Sequence, residues 1–180
     1  MRGEKAEEID ARTQRIFDNG NDMHERFYRY FSGANILVEK EKVVKKNKPP
    51  ISGRLDAIIK LLDNNFIVDL KSINTNGFNQ IKKNKQGKQE HVVQLQIYMD
   101  IENCNNGILL YEDKNGQEIF PVYYKFNREI VDKIYDKLFS VLNYLKIGKT
   151  PDRCFGCSEI NPFNFCSYKI ICRSLSGDKR

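Results

Sequence analysis

Two apolar stretches that each carry one acidic residue constrain this chain more than any other feature. Residues 53–59 and 66–71 are rich in Ile, Leu and Val, and a polar Asp-Asn-Asn run separates them. This pattern predicts two β-strands joined by a tight turn. Asp56 lies inside the first strand, and Asp69 lies near the end of the second, two residues before Lys71. A carboxylate among apolar neighbours must be paired, hydrogen-bonded or bound to a metal, because burying it alone is costly.

Helix-like spacing of apolar residues marks three other parts of the chain. They are residues 5–32, 91–99 and 127–148. The first stretch is interrupted by Asp18-Asn19-Gly20-Asn21. We therefore expect it to form two helices, with Asn21 or Asp22 as the cap of the second. The third stretch is expected to begin after the cap residue Asn127 and to end at Gly148.

Strand-like patterns complete the predicted order of elements. The further strands are expected at residues 36–44, 107–112 and 117–124. An Asn-Gly pair between the last two is a strong hairpin signal. Residues 73–90 are polar and are predicted to be a long loop. Helices, strands, a helix, strands and a final helix in this order predict an α/β (α+β) fold with a sheet flanked by helices.

Charge and composition limit the partners and the location of the chain. The sequence has 180 residues, a net charge of +6 and a pI of about 9.0, which suits a polyanionic partner. It has no apolar run of the roughly 18–20 residues that cross a bilayer, and its first residues have no apolar signal segment. We therefore expect a cytoplasmic protein without a membrane partner.

Two acids on neighbouring strands, with a lysine beside one of them, are the parts of a metal-dependent site for phosphodiester hydrolysis. Mg²⁺ and Mn²⁺ bind carboxylates, and an imidazole can join the ligands of Mn²⁺. The candidate ligands are His24, Asp56, Asp69 and the backbone carbonyl of Leu70. Lys71 is expected to stabilise negative charge on the phosphate. It is a poor candidate for a base, because that role needs a pKa lowered by burial.

A polar pair on the predicted helix 91–99 extends this set. Gln94 and Tyr98 are four residues apart and share a helix face, so they are expected to position the DNA backbone or Lys71. Taken singly, each motif is weak evidence. A second acid-x-Lys sequence ends at Lys114, for example, and is interpreted as a solvated strand end before the Asn-Gly turn. The ordered combination indicates a catalytic site.

With these residues in this order, the chain resembles PD-(D/E)XK nucleases of the RecB-like branch. That branch includes the nuclease domains of RecB and AddB, CRISPR-associated iron–sulfur nucleases and many phage exonucleases. The resemblance extends from about Arg15 to Cys172. The matched residues are His24, Asp56, Asp69, Lys71, Gln94 and Tyr98. The resemblance implies a mixed sheet with flanking helices, dependence on Mg²⁺ or Mn²⁺, and cleavage of DNA at ends or in single strands.

Four cysteines lie close together in the last thirty residues. They are Cys154, Cys157, Cys166 and Cys172. This spacing predicts a metal site that holds structural Zn²⁺ or a [4Fe–4S] cluster, although buried, metal-free thiols are an alternative. The ending C-x-Y-x3-C resembles that of the iron–sulfur nucleases, which usually add an upstream cysteine. No cysteine precedes Cys104 here, and Cys104 is expected to be a free thiol. Residues 1–150 are thus predicted to form the nuclease core, and 151–180 a metal-binding tail packed on it.

Three functions remain open from the sequence. The favoured one is a DNA exonuclease, or a nuclease that processes single strands or flaps. The alternatives are a non-catalytic nucleic-acid-binding module and a site-specific endonuclease, which usually needs a dedicated base-reading element. The lysines that could contact DNA are Lys82, Lys83, Lys85 and Lys88. The chain has no helicase motifs, so a helicase or recombination partner would be a separate protein.

Overall fold

The computed structural model describes residues 9–149 of the chain. Within this range the chain forms four helices and five strands. In chain order they are α1 (Ala11–Gly33), β1 (Leu37–Lys46), β2 (Ile51–Leu61), β3 (Asn64–Ile73), α2 (Thr75–Asn84), α3 (Gln89–Ile101), β4 (Asn106–Asp113), β5 (Ile119–Lys125) and α4 (Arg128–Lys146). None of the helices in the described range combines the length and the apolar character that a bilayer-spanning helix needs.

The five strands form one mixed sheet in the order β1-β2-β3-β4-β5. β3 and β4 are parallel, and all other neighbours are antiparallel. Antiparallel neighbours need only short turns, whereas a parallel pair needs a longer crossover, which α2 and α3 supply here. The predicted mixed sheet flanked by helices is confirmed.

Helices cover both faces of the sheet. α1 contributes Met23 to a core cluster on one face, and α3 contributes Leu95 to a cluster on the other. β3 supplies both clusters: its residues Val68 and Leu70 face α1, whereas Ile67 and its odd-numbered neighbours face α3. The side chains of residues 69 and 71 therefore lie on the α3 face.

The chain divides into two compact units, Met1–Tyr135 and Asp136–Arg180. The first contains the sheet, α1 to α3 and the start of α4. Within the described residues, the second contains the remainder of α4 and its end, where Gly148 has a φ of +65°. This confirms the predicted helix end at Gly148. The predicted boundary at residue 150 stays a prediction, because the chain beyond it lies outside the described range.

α1 is one continuous helix, so the prediction of two helices was wrong. The helix begins after Asp10, whose Oδ1 accepts hydrogen bonds from the backbone N–H groups of Arg12 and Thr13 at 2.7 and 2.9 Å. The polar run at 18–21 lies inside the helix. Gly20 in this run lowers the stability of the helix by about 1 kcal/mol relative to alanine. Burial of Met23 and the residues after it against the sheet offsets this cost.

The predicted loop at 73–90 was also wrong in part, because it contains α2. Asn74 caps this helix, its Oδ1 accepting a 2.8 Å hydrogen bond from the N–H of Gly77. Phe78 and Ile81 are buried against the sheet, and the other side chains are polar. Two anchoring residues give too weak a periodic pattern to identify a helix from sequence.

Candidate active site

The predicted site residues lie where β2 and β3 separate. The β2–β3 ladder ends at the pair Ala57↔Val68, whereas β3 keeps pairing with β4 up to Ile73. Asp56 and Asp69 are the next residue on each strand, so they flank the start of the gap. The end of the ladder leaves backbone groups on both strands that need other partners.

Asp56 fills part of this need. Its Oδ2 accepts a 2.7 Å hydrogen bond from the backbone N–H of Leu70, a donor that the end of the ladder leaves free. Its Oδ1 lies 3.7 Å from Nδ1 of His24, which α1 places beside the gap. Because the N–H and C=O of one residue point to the same edge of a strand, the Leu70 carbonyl also faces the gap.

Asp69 is buried with too few partners. Its side chain is 1% exposed, and its Oδ2 lies 2.8 Å from Nζ of Lys71. Lys71 is the one polar partner of this carboxylate within residues 9–149, and Oδ1 has none. Burial raises the pKa of Asp69 to about 6, against the attraction of Lys71 and with a smaller contribution from the charge of Asp56. The site thus holds an acid that is poorly stabilised when ionised.

A chain of hydrogen bonds holds Lys71 in place. Its Nζ donates to Oε1 of Gln94 at 3.1 Å, and Nε2 of Gln94 donates to the hydroxyl of Tyr98 at 3.1 Å. The Tyr98 hydroxyl in turn donates to the backbone carbonyl of Arg54 on β2 at 3.1 Å. Gly53 makes room for this ring, because a Cβ there would lie 2.9 Å from the Tyr98 hydroxyl oxygen. The structure therefore brings the predicted pair on α3 onto the predicted lysine.

The donors at the gap fit a hard cation in their chemistry. No three His, Cys, Asp or Glu side chains between residues 9 and 149 form a ready metal-binding cluster. However, Oδ1 of the buried Asp69 lacks a hydrogen-bond partner in the described range, and the Leu70 carbonyl faces the same gap as Asp56. Carboxylate and carbonyl oxygens with one imidazole, here that of His24, suit Mg²⁺ or Mn²⁺.

Sequence reasoning missed two aromatic neighbours of the site. Tyr28 lies one turn after His24 on α1, and burial raises the pKa of its hydroxyl. Tyr111 on β4 lies beside Lys71 in the parallel register, and its hydroxyl oxygen is 2.9 Å from Nδ1 of His91. The four-residue spacing could have pointed to Tyr28. The contact between Tyr111 and His91 depends on the crossover and has no local sequence signal.

The remaining predicted residues lie on α2, in the segment that leads to α3, or outside the described range. Lys82 and Lys83 are in the last turn of α2, Lys85 is its C-cap residue, and all three are exposed, as is Lys88. Lys82 forms an ion pair with Glu118. The four tail residues Cys154, Cys157, Cys166 and Cys172 lie outside the described residues. Among the described residues 9–149, Cys104 is a free thiol, as predicted.

A separate polar cavity of about 420 Å³ lies on the α1 face of the sheet. Arg26, Ser72, Glu112 and Lys114 are among its lining residues, and Arg26 forms an ion pair with Glu112. None of the predicted site residues lines this cavity. The chemistry is therefore placed at the gap between β2 and β3, where the buried Asp69 lies beside Lys71.

Comparison with solved structures identifies the fold. LHK-Exo, an alkaline exonuclease from Laribacter hongkongensis, matches in a crystal structure with dAMP at a TM-score of 0.61 and 16% identity, covering 80% of this chain and 73% of that chain. A second crystal structure of LHK-Exo matches at a TM-score of 0.52 and 19% identity, covering 78% and 75%. A phage-related exonuclease from Haemophilus somnus matches at a TM-score of 0.54 and 18% identity, covering 73% and 72%.

The chain has the fold of these exonucleases. The expected mixed sheet with flanking helices is therefore confirmed, and identities of 16–19% limit this similarity to the fold. No protein-family model matches the sequence, and neither does any curated protein.

Proposed function

We propose that this protein is a divalent-metal-dependent DNA nuclease of the RecB-like and phage-exonuclease branch. It would act at DNA ends, on single strands or on flaps during replication, recombination or repair in the cytoplasm, with any helicase or recombination protein as a separate partner. The observation that carries the proposal is the buried Asp69, held 2.8 Å from Lys71 beside the gap between β2 and β3. Structural similarity to exonucleases supports the proposal.

Mg²⁺ or Mn²⁺ would be held by Asp56, Asp69, the Leu70 carbonyl and His24. When bound, the cation neutralises phosphate charge and lowers the pKa of an attacking water. Because the pKa of Asp69 is about 6, its carboxylate is ionised and able to bind a cation at physiological pH. The N–H of Leu70 orients the carboxylate of Asp56 through the 2.7 Å hydrogen bond.

Lys71 supplies fixed positive charge where the phosphate becomes more negative. Its side chain is 20% exposed, so the ammonium group can reach a substrate and still be oriented by its neighbours. Gln94 holds that group through its Oε1, and Tyr98 holds Gln94. A donor whose position is fixed before the reaction stabilises developing charge without reorganisation. Gln94 and Tyr98 are therefore positioning residues.

The test is digestion of 5′- and 3′-labelled DNA, single- and double-stranded, with Mg²⁺, Mn²⁺ or EDTA. We expect cation-dependent cleavage that falls at least about a hundredfold in Asp69→Ala and Lys71→Ala, with a cooperative thermal unfolding transition that shows both variants are folded. Lys114→Ala is the matched control, because Lys114 is an exposed lysine in the other acid-x-Lys sequence. Activity that persists in both site variants would rule out this assignment. Salt-sensitive binding without cleavage would favour the non-catalytic binding module. Cleavage at a single position would favour the site-specific endonuclease.

For the tail, we propose a metal site built from four thiolates. Cys154, Cys157, Cys166 and Cys172 would hold a [4Fe–4S] cluster or Zn²⁺, with a structural role. Metal analysis and the visible absorbance of the purified protein separate these cases, because the cluster is brown and zinc is colourless. Replacing Cys157 by Ser should remove the metal, whereas Cys104→Ser, at the free thiol, should leave it bound. Full protein without either metal would exclude the site.

A further inference from the structure

His91 occupies a place beside Lys71 that the proposed mechanism does not use. It lies in the first turn of α3, three residues before Gln94, so the two side chains share a helix face. Its ring lies against that of Tyr111, with centroids 5.7 Å apart. Tyr111 is the β4 partner of Lys71 in the parallel register. The lysine is thus flanked by Gln94 and by the His91–Tyr111 pair.

Hydrogen bonds around Tyr111 assign the tautomer of this histidine. The Tyr111 oxygen accepts a 3.1 Å hydrogen bond from the backbone N–H of Lys88, and Nδ1 of His91 lies 2.9 Å away. Tyr111 is buried, and burial raises its pKa, so the hydroxyl stays protonated. It donates a hydrogen bond to Nδ1 of His91. Nδ1 is therefore the acceptor, and the proton of the neutral ring is on Nε2.

The surrounding charges keep the ring neutral. Burial lowers the pKa of His91, and the positive charges of Lys71 and Lys88 lower it further, against an opposing contribution from Glu90. A proton on Nδ1 would also face the hydroxyl proton of Tyr111. At physiological pH the residue therefore presents one neutral donor, Nε2–H, at the ring edge away from Tyr111.

We infer that His91 contacts the DNA, donating its Nε2–H to a phosphate oxygen next to the scissile phosphate. This inference rests on the proposed nuclease function. The site already has one cation in Lys71, and a second would repel it in a partly buried position. A neutral donor binds the next phosphate without that repulsion. Gly87 helps to hold the arrangement, because a Cβ there would lie 2.8 Å from the Tyr111 hydroxyl oxygen.

Two substitutions at His91 separate a DNA contact from a structural role. The side-chain amide of Asn overlays Nδ1 of histidine, and that of Gln overlays Nε2. His91→Asn keeps an acceptor for Tyr111 and loses the outer donor, whereas His91→Gln keeps the outer donor and loses the acceptor. The measurement is binding of a fluorescein-labelled single-stranded oligonucleotide at pH 8 in EDTA, which prevents cleavage. The thermal midpoint is recorded for each variant.

We expect the Kd to rise about tenfold in His91→Asn, the effect of one lost hydrogen bond to a charged group, and to change less than about twofold in His91→Gln. The reverse order, equal losses in both variants, no change in either, or no binding by the wild-type protein would overturn the inference. Cleavage by the wild-type protein with Mg²⁺ or Mn²⁺ is scored separately. If binding depends on His91 but the wild-type protein does not cleave DNA, the His91 contact stands and the nuclease function is excluded. If the wild-type protein cleaves DNA and neither substitution changes binding, the nuclease function stands and the His91 contact is excluded.

Discussion

Two acids followed at a short distance by a lysine illustrate how residues of the same type differ in role. Asp69 is buried beside one ammonium group, and its pKa rises to about 6. Asp113 precedes the Asn-Gly turn and accepts hydrogen bonds from the backbone of Asn115 and Gly116 and from the hydroxyl of Thr75. Burial acts to raise the pKa of Asp113, but these bonds outweigh it and the pKa is lowered. An acid left without such bonds indicates a functional site, because a structural acid is normally satisfied.

Replacing Asp69 by Asn should stabilise the metal-free protein at alkaline pH. The folded protein keeps the Asp69 proton up to about pH 6, whereas the carboxyl group in the unfolded chain has its ordinary pKa of 3.8. Wild-type stability therefore falls as pH rises from 4 to above 6, and Asn, which does not ionise, avoids this loss. Two pKa units correspond to about 3 kcal/mol. Urea unfolding in EDTA should show a gain near that size at pH 8 that shrinks below about 1 kcal/mol near pH 4. A gain that is independent of pH would contradict this explanation.

At the scale of elements, the sequence predicted the helices and strands whose hydrophobic and turn patterns are local and strong. The alternating strands, the Asn-Gly hairpin and the Asn127-capped helix all appear in the structure. The predicted break in α1 at Gly20 was wrong, because burial of one face of the helix stabilises it more than the glycine destabilises it. The six matched side chains gather at the gap because each lies on an element whose face the sequence specifies. The approach of His91 to Tyr111 was not predictable, since a parallel crossover sets it.

Two glycine substitutions test whether the α3 face positions Lys71. Gly53→Ala places a Cβ 2.9 Å from the hydroxyl oxygen and 3.0 Å from a ring carbon of the buried Tyr98. We expect a displaced ring, a stability loss of about 1–2 kcal/mol and a roughly tenfold lower kcat. Gly20→Ala is the control, since a Cβ there meets nothing within 4 Å. It should stabilise α1 by about 1 kcal/mol with unchanged kcat.

Steady-state cleavage rates and urea unfolding of the two glycine variants give the comparison. A Gly53→Ala protein that loses stability but keeps its kcat would show that the Tyr98–Gln94 chain does not position the lysine.

At the scale of the whole molecule, α3 connects the site to the remainder of the first unit. One end of the helix meets Tyr111 through His91, and the other carries the buried Asp100. Asp100 accepts hydrogen bonds from Lys46 on β1 at 2.7 Å and from Tyr135 on α4 at 2.5 Å, and it pairs with Arg128 at 2.7 Å. The helix that carries Gln94 and Tyr98 is therefore anchored by an acid with abundant partners, in contrast to Asp69.

Asp100→Asn tests this anchor. Burial acts to raise the pKa of Asp100, but the bonds from Lys46 and Tyr135 and the charge of Arg128 outweigh it, and the pKa is lowered from 3.8. The stabilisation is thus present above pH 3.8 and is lost only as pH falls through the lower folded value. Removing the charge should cost about 2 kcal/mol, because both cations can turn towards solvent.

The pH dependence separates the two acids. Because the Asp100 contribution is complete above pH 3.8, the loss in Asp100→Asn should be nearly the same at pH 4 and pH 8 in urea unfolding. The Asp69→Asn effect has the opposite sign and changes between those two values, so each variant is the control for the other. If the loss of stability in Asp100→Asn vanished at pH 4, the partners of Asp100 would not be lowering its pKa. The anchoring of α3 would then rest on apolar packing around Leu95 and Met99, and not on this ion cluster.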